Sequence, residues 1–457
     1  MSLNSIMQIG LTGMFSAGAS MQTSSHNIAN ANTPGFTRQR AITGSKRGML
    51  TAYGVLGSGT EVMDIRRLTD QFLVSHRRDQ MALMNQFDTE SMALQSVEVI
   101  FGSVDNNHLG EAMTQFFNAW STLATPPHNE VLRMDVLGSA ERLALDFNAM
   151  SRSLEDLGND LDDQLVAGVN SLNMMLDNVA DLNRQIVVGE STHSSANDLR
   201  DRRDILLASI SELARADVIE RDDGTVDVII AGRTVVSRNH VQHLDVTYEE
   251  SDELQRGTAK ITVRDGRYDV DVGEGHLNGL INAREVRVLG VRRQLDEMAK
   301  TLVDKVNEIH VQGLSIGGRG LQFFTGDSAA TIAVSTQLVD NPEYIATSRS
   351  NLAGDKDIAL EIAALGQSGT DVMNNMSMTE LFSALVVEIA SDTASSNFRV
   401  EGQQQLVDSL DARLESIRGV SLDEEAANLA QYQNVYQANA RVITAVQEMF
   451  DSVLTMV

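Results

Sequence analysis

Cysteine is absent from this 457-residue chain, which excludes a disulfide scaffold, a thiolate-bound zinc and a thiol nucleophile. Aromatic residues amount to only 4%, with Trp120 the single tryptophan. An enzyme built around a ligand pocket normally spends more of them. No apolar run reaches the roughly 20 residues of a membrane span, so membrane insertion is not expected. Charge is missing from one stretch in particular. Met1 to Thr37 holds no Lys, Arg, Asp or Glu, and Arg38 is the first formal charge. A cleaved secretory signal needs a basic start and a continuous apolar core. Neither is present, because Asn, Ser, Thr, Gln and Gly recur throughout. The expectation is a chain that stays in the cytosol or is exported by a route that reads no cleaved signal.

Acid, by contrast, is abundant. Asp and Glu number 63 against 36 Lys and Arg, giving a net charge of −27 and a pI near 4.6. Such a surface repels nucleic acid and keeps the free chain soluble. Strong association must then come from apolar seams. Hydrophobic residues make up 42%, enough for real cores, and the length suits two to four domains.

Both ends carry heptad stripes. Leu3, Met7, Gly10, Met14, Ala17, Met21, Ser24 and Ile28 alternate steps of four and three. So do Leu422, Ala426, Leu429, Gln433, Tyr436, Ala440, Ile443, Gln447, Phe450, Leu454 and Val457. The first helix is expected to stop at 30–36, where Pro34 disfavours helical backbone at Thr33 and Pro34-Gly35 suits a type II turn. Ser421, with Glu424 three residues on, reads as the cap of the last helix. Each end helix finds its most probable partner in the other.

Between them the periodicity predicts helices over Asp70–Ile100, Ala112–Leu123, Glu130–Ile186, Asn197–Leu213, Gly279–Val311 and Thr379–Ile417. The stripe in the third slips by one residue at 161–165, which should locally disturb any supercoil. Only Val218–His243 and Ile261–Val272 read as strands, with Asp223-Gly224 and Asp265-Gly266 as hairpin turns. The fold class expected is mainly α. Its organisation is a terminal coiled coil from 1–45 and 420–457, a helical bundle from 46–214 and 276–419 with short strands near 313–369, and a β-rich outer insertion over 215–275.

Candidate chemistry is sparse. His240 and His243 are the only close histidines, with no third ligand evident, so a structural reading is favoured over a metal site. The glycine runs at 54–59 and 317–320 lack the strand-to-helix context of a phosphate cradle and read as loops. Glu155, Asp156, Asp160, Asp162 and Asp163 flank the stripe Leu154, Leu157 and Leu161, and read as its solvated face. No catalytic, cofactor or metal residues are assigned. Met7, Met14 and Met21 could form an adaptable docking surface or ordinary helix packing.

One segment is far more specific. Asn27-Ile28-Ala29-Asn30, then Asn32-Thr33-Pro34-Gly35 and the aromatic Phe36, closely resembles the N-terminal signature of the flagellar rod, hook and junction axial proteins. Arg38-Gln39 directly after it looks like the FlgK type within that family. So do Ala196 to Leu206 and the segment Phe323-Phe324-Thr325-Gly326 with Ile332 to Val334, Asn341-Pro342, Ile345-Ala346 and Gly354-Asp355, while the last helix from Ala426 to Ile443 is similar to the family's C-terminal helix. The resemblance covers the chain end to end apart from 215–275.

It implies a structural, non-enzymatic and extracellular subunit of the bacterial flagellum. Such a chain would be exported by the flagellar type III apparatus and would form a ring with copies of itself between hook and filament. Its implied neighbours are the hook protein and the second hook-associated junction protein. A cytosolic export chaperone would hold Leu429, Tyr436, Ile443 and Phe450 beforehand. The assembly residues implied are Leu3, Met7, Met14, Ala17 and Met21 with Leu422, Leu429, Tyr436, Ile443, Phe450 and Leu454. Two alternatives stay open: another axial subunit of rod or hook type, and a secreted enzyme on a flagellar scaffold with its chemistry in 215–275.

Overall fold

The computed structural model describes residues 3–51, 54–102, 108–191, 196–251, 253–254, 256–264, 268–350, 355–367 and 376–455. The expected turn at Asp265-Gly266, the motif residue Gly354 and the last stripe position, Val457, lie outside the described residues. The helices are α1 Leu3–Ala29, α2 Gln71–Phe101, α3 His108–Leu123, α4 Glu130–Glu190, α5 Asn197–Leu213, α6 His276–Asn282, α7 Leu289–Val311, α8 Thr336–Asp340, α9 Asp357–Ala364, α10 Met378–Arg418 and α11 Leu422–Thr455. A π-type turn, Ala283–Val288, joins α6 to α7. The fold is mainly α, as the periodicity predicts, and α1 packs along α11.

Capping residues set where these helices begin. Asp70 accepts from the Phe72 and Leu73 amides, and Asn129 does the same for Val131 and Leu132. Ser377 and Glu380 form a reciprocal capping box at the head of α10. Helix α4 runs unbroken for 61 residues, about 92 Å at 1.5 Å per residue. Its buried row includes Leu154, Leu161, Leu165, Val169, Leu172, Leu176 and Val179, which carries the stripe through the phase slip. Asp162 shares that buried side, so it does not belong to the solvated face expected for it. It pairs with Arg284 at 2.8 Å, the two side chains being 1% and 3% exposed. The π turn of 283–288 carries that arginine, and such turns break the one-face rule that periodicity assumes.

Strands β1 Gln39–Ser45 and β4 Thr60–Arg67 form an antiparallel ribbon with a smaller hairpin, β2 Met49–Thr51 and β3 Gly54–Leu56, between them. This ribbon was not expected, since only 218–243 and 261–272 read as strands. In the insertion, β5 Ala216–Glu220, β6 Val226–Ile230, β7 Arg233–Ser237 and β8 His240–Val241 make an antiparallel meander, and β9 Leu244–Glu249 pairs with β10 Thr258–Val263. Four two-residue strands follow: β11 Leu314–Ser315, β12 Gly318–Arg319, β13 Phe324–Thr325 and β14 Ala333–Val334. Asparagines on α4 pin the insertion. Asn183 exchanges hydrogen bonds with the Val226 backbone at 2.9 and 3.1 Å, and Asn173 does so with Leu244 at 2.8 and 2.9 Å. One continuous buried cluster runs from Ala93 to Ile389 and includes Val226, Val228 and Ile261 of the insertion.

The single tryptophan lies in an aromatic cluster. Phe116, Trp120, Phe323, Phe324 and His310 meet in edge-to-face and tilted pairs with centroids 4.9 to 6.4 Å apart. His310 is fully buried; its Nδ1–H donates to Leu321 O at 2.5 Å and its Nε2 accepts from the Ala346 amide at 2.9 Å. Burial pushes its pKa down to about 4. The unfolded chain binds this proton near pH 6.5 while the folded chain does not until about 4. Stability from this group is therefore complete above 6.5 and is lost as pH falls through that window, by up to roughly 3 kcal/mol. Urea midpoints measured at pH 7, 5.5 and 4.5 should fall in the native chain, and fall less steeply in His310→Gln.

Candidate functional site

The two terminal helices approach closely because α1 presents glycine to α11. A Cβ at Gly10 would sit 3.0 Å from Ile443 Cγ1, and one at Gly13 would collide with the Asn439 side-chain amide. Further along, Ser16, Ala17, Ser20, Thr23 and Ser24 are buried. The Ser20 and Thr23 hydroxyls fold back on the carbonyls of Ser16 and Ala19, both at 3.0 Å, so no donor is stranded. Of the assembly residues expected on α1, Ala17 is buried and Leu3, Met7, Met14 and Met21 are half-buried. On α11, Leu429, Ile443 and Phe450 are half-buried, whereas Leu422, Tyr436 and Leu454 are exposed at 54%, 37% and 73%. The row that completes this seam is Glu425, Tyr432, Asn439 and Val446, one residue before Ala426, Gln433, Ala440 and Gln447. Helix α11 is thus rotated toward the glycine face of α1, a choice that an apolar count alone does not reveal.

At the foot of this pair lies a dense polar clasp. Asn27, 1% exposed, pairs with the Gln39 backbone in both directions: its amide donates to Gln39 O at 2.8 Å and its carbonyl accepts from Gln39 N at 3.0 Å. The Gln39 side chain donates to Asp198 at 3.1 Å and accepts from Asn197 at 3.1 Å, while Asn197 also donates to Ile65 O at 2.7 Å. Thr37 N–H donates to Asp201 at 3.1 Å, and Arg67 donates to Asp201 at 2.8 Å and Asp204 at 2.6 Å. The Arg67 and Asp201 side chains are 6% and 7% exposed. Burial pushes the Asp201 carboxyl above its ordinary range, and the bonds from Arg67 and Thr37 oppose that shift.

The signature turns above the clasp. Phe36 N–H donates to Thr33 O at 3.1 Å and Gly35 has φ +77°, the type II turn expected of Pro34-Gly35. A Cβ at Gly35 would lie 2.5 Å from Ile205 Cδ1, so a side chain there would have to displace Ile205 as well as adopt a left-handed backbone. Asn30 donates to His26 O at 3.0 Å and accepts from Thr33 at 3.2 Å, and Phe36 meets the His26 ring edge-on at 5.4 Å. Asn32, Thr33 and Pro34 are exposed, Ile28 is half-buried and Ala29 is exposed.

Arg38 ties in the far end of the chain. It donates to Glu425 and Glu424, each at 2.8 Å, while its own amide donates to Arg418 O at 3.0 Å. The Glu425 side chain is 3% exposed. Ser421 Oγ accepts from the Glu424 amide at 3.4 Å, the capping expected there. A polar cleft of about 430 Å³ opens between Ser20, Thr23, Arg38, Gln39, Asn428 and Tyr432. The motifs over 27–39 and 196–206 are therefore two halves of one joint. Sequence reasoning found both halves and missed Arg67, whose strand was not expected.

The histidine pair stays apart from any such cluster. His243 lies 2.9 Å from Asp177, and His240 is exposed at the meander's edge. No group of three or more His, Asp or Glu side chains among the described residues could hold a metal ion. No helix among them is long and apolar enough to cross a membrane.

Comparison with known proteins agrees with this architecture. Residues 94–324, half of the chain, match the helical domain of flagellar hook-associated protein FlgK. Residues 415–456 match the C-terminal region of flagellar basal body rod FlgEFG proteins. Flagellar hook-associated protein 1 of Bacillus subtilis is 27% identical over 485 residues, covering 95% of each chain. That of Salmonella typhimurium is 22% identical over 553 residues, covering 99% of this chain and 100% of its own. The flagellar hook junction protein FlgK from Burkholderia pseudomallei shares the fold at a TM-score of 0.67 and 14% identity, over 76% of this chain and 100% of its own. The chain belongs to the family of flagellar hook-associated protein FlgK, structural components of the flagellum at its hook.

Proposed function

We propose that this chain is the junction subunit between hook and filament, and that its joined ends are the assembly element. The observation that carries the proposal is the pair of unsatisfied faces on the terminal helices. On α1, Leu11 and Phe15 are 37% and 75% exposed on a helix without a formal charge. On α11, Val435, Val442, Met449 and Val453 are 41% to 52% exposed at near-heptad spacing. A second apolar row on a helix already paired in its own chain calls for a neighbour. Copies of the chain side by side supply it, and the closed ring that results needs only one kind of contact.

The remaining assignments rest on family likeness. One end of the ring meets the hook protein and the other the second hook-associated junction protein. The flagellar type III apparatus exports the chain, and a cytosolic chaperone shields Leu429, Tyr436, Ile443 and Phe450 until then. The division into terminal coiled coil, helical bundle and β-rich insertion is proposed as the working domain map. We read the chain as non-catalytic, since the polar groups of its densest cluster are engaged with one another.

Deleting the gene in the source organism tests the reading. Intact hooks without filaments, with flagellin free in the medium, are expected; normal filaments would overturn it. Two substitutions separate its parts. Gly13→Leu drives a side chain into Asn439 and should abolish filaments in a complementation assay while leaving the melting of the helical body unchanged. Arg67→Met leaves two clasp carboxylates without their cation and should cost about 3 kcal/mol or more. The loss is expected as faster amide exchange across 37–41 and 197–205, and unchanged exchange there would remove the clasp from the account.

A further inference from the structure

The ribbon over 38–67 is unlike the rest of the molecule in charge. It contains six of the chain's 36 Lys and Arg but only two of its 63 carboxylates. Arg38 and Arg67 are consumed in the clasp, and Arg66 reaches Asp64 on its own strand at 2.9 Å. Arg40, Lys46 and Arg47 are exposed and have no ion-pair partner among the described residues. Arg40 also stands directly across from Arg66 in the β1–β4 register, where like charges repel. Beside these cations the ribbon exposes a run of apolar side chains: Met49 at 59%, Leu50 at 81%, Val55 at 70% and Met63 at 67%.

The base of this arm is anchored. A Cβ at Gly59 would collide with Thr12 on α1. Thr60 Oγ1 donates to Ser16 Oγ at 3.1 Å, and the Lys46 amide donates to Gly59 O at 2.9 Å. The ribbon that carries the basic and apolar side chains is thus tied to α1 before any partner arrives, which lowers the ordering cost of docking it.

We infer that the arm seats on the acidic surface of a second copy of this chain, next in the ring. The charges of the two surfaces are complementary. Copies that each carry −27 repel one another when packed side by side. A basic, apolar-tipped arm gives each copy one face that its acidic neighbour attracts, in a head-to-tail contact that repeats around the ring. The inference rests on the assembly reading above and adds the contact that overcomes self-repulsion.

A photo-crosslinking amino acid in place of Leu50, in cells complemented with the full chain, tests it on assembled flagella. The Leu50 side chain is 81% exposed, with Val55 of the same hairpin as its cross-strand partner, so an adduct at twice 49.8 kDa containing only this chain is expected. Lys46→Glu with Arg47→Glu in the same background should lower that adduct by about fivefold, the weight of an exposed ion pair. Val55 serves as a second probe position should the first disturb the hairpin. Absence of the dimer adduct at both positions, an adduct with a different protein, or a dimer adduct indifferent to charge reversal would each overturn the inference. Filaments on the same cells report the assembly reading separately, so their presence without a dimer adduct sinks this contact alone.

Discussion

Arg38 is the first charge in the sequence, and it is spent on two carboxylates almost 390 residues away. That contact joins the ends of the chain and fixes the register of α11 on α1. Glu425 is nearly fully buried in it, so the pair is an expensive way to gain stability. A buried ion pair is better at specifying one arrangement than at strengthening it, because any slip of α11 leaves a desolvated charge alone. The seam above it is made of Gly, Ser, Ala, Thr and half-buried Met and could slide without such a stop. The pairing of Asn27 with both backbone groups of Gln39 works in the same way, since its geometry admits one partner only.

The division of labour along the terminal helices follows from this. The foot is polar, directional and saturated with hydrogen bonds. The shaft is sparsely charged: α1 carries no formal charge, and α11 above its first turn carries Arg441, Glu448 and Asp451. Close packing there depends on glycine at 10 and 13 and not on large apolar knobs.

The helices were legible because their periodicity is long: α5 was expected over Asn197–Leu213 and lies there, and α10 begins one residue from where its stripe does. The joined ends were legible for the same reason. The ribbon at 39–67 was not, because its strands alternate weakly and it is held by Thr12, Ser16 and Asn197, each far in sequence from the ribbon residue it bonds. The side of α11 that faces α1 was misjudged by one residue in its second row. Periodicity gives a stripe, but which edge of the stripe is buried depends on the partner's shape, here the absent side chains of Gly10 and Gly13. Asp162 illustrates the same limit, since its partner Arg284 sits on a π turn that no period of 3.6 describes.

The clasp also ties together two segments far apart in the sequence. Asn27, Gly35 and Gln39 on one side and Asn197, Asp198, Asp201 and Ile205 on the other make contacts that substitution on one side alone cannot preserve. An Asp201 replaced by alanine leaves the Thr37 amide without its acceptor and Arg67 with Asp204 alone, whereas an apolar change on the outer face of α4 strands nothing. The angle between the terminal helices and the helical body is set here, by at least six side chains in one place. A cluster of directional hydrogen bonds between buried side chains holds that angle better than an apolar interface of equal size, which can slide.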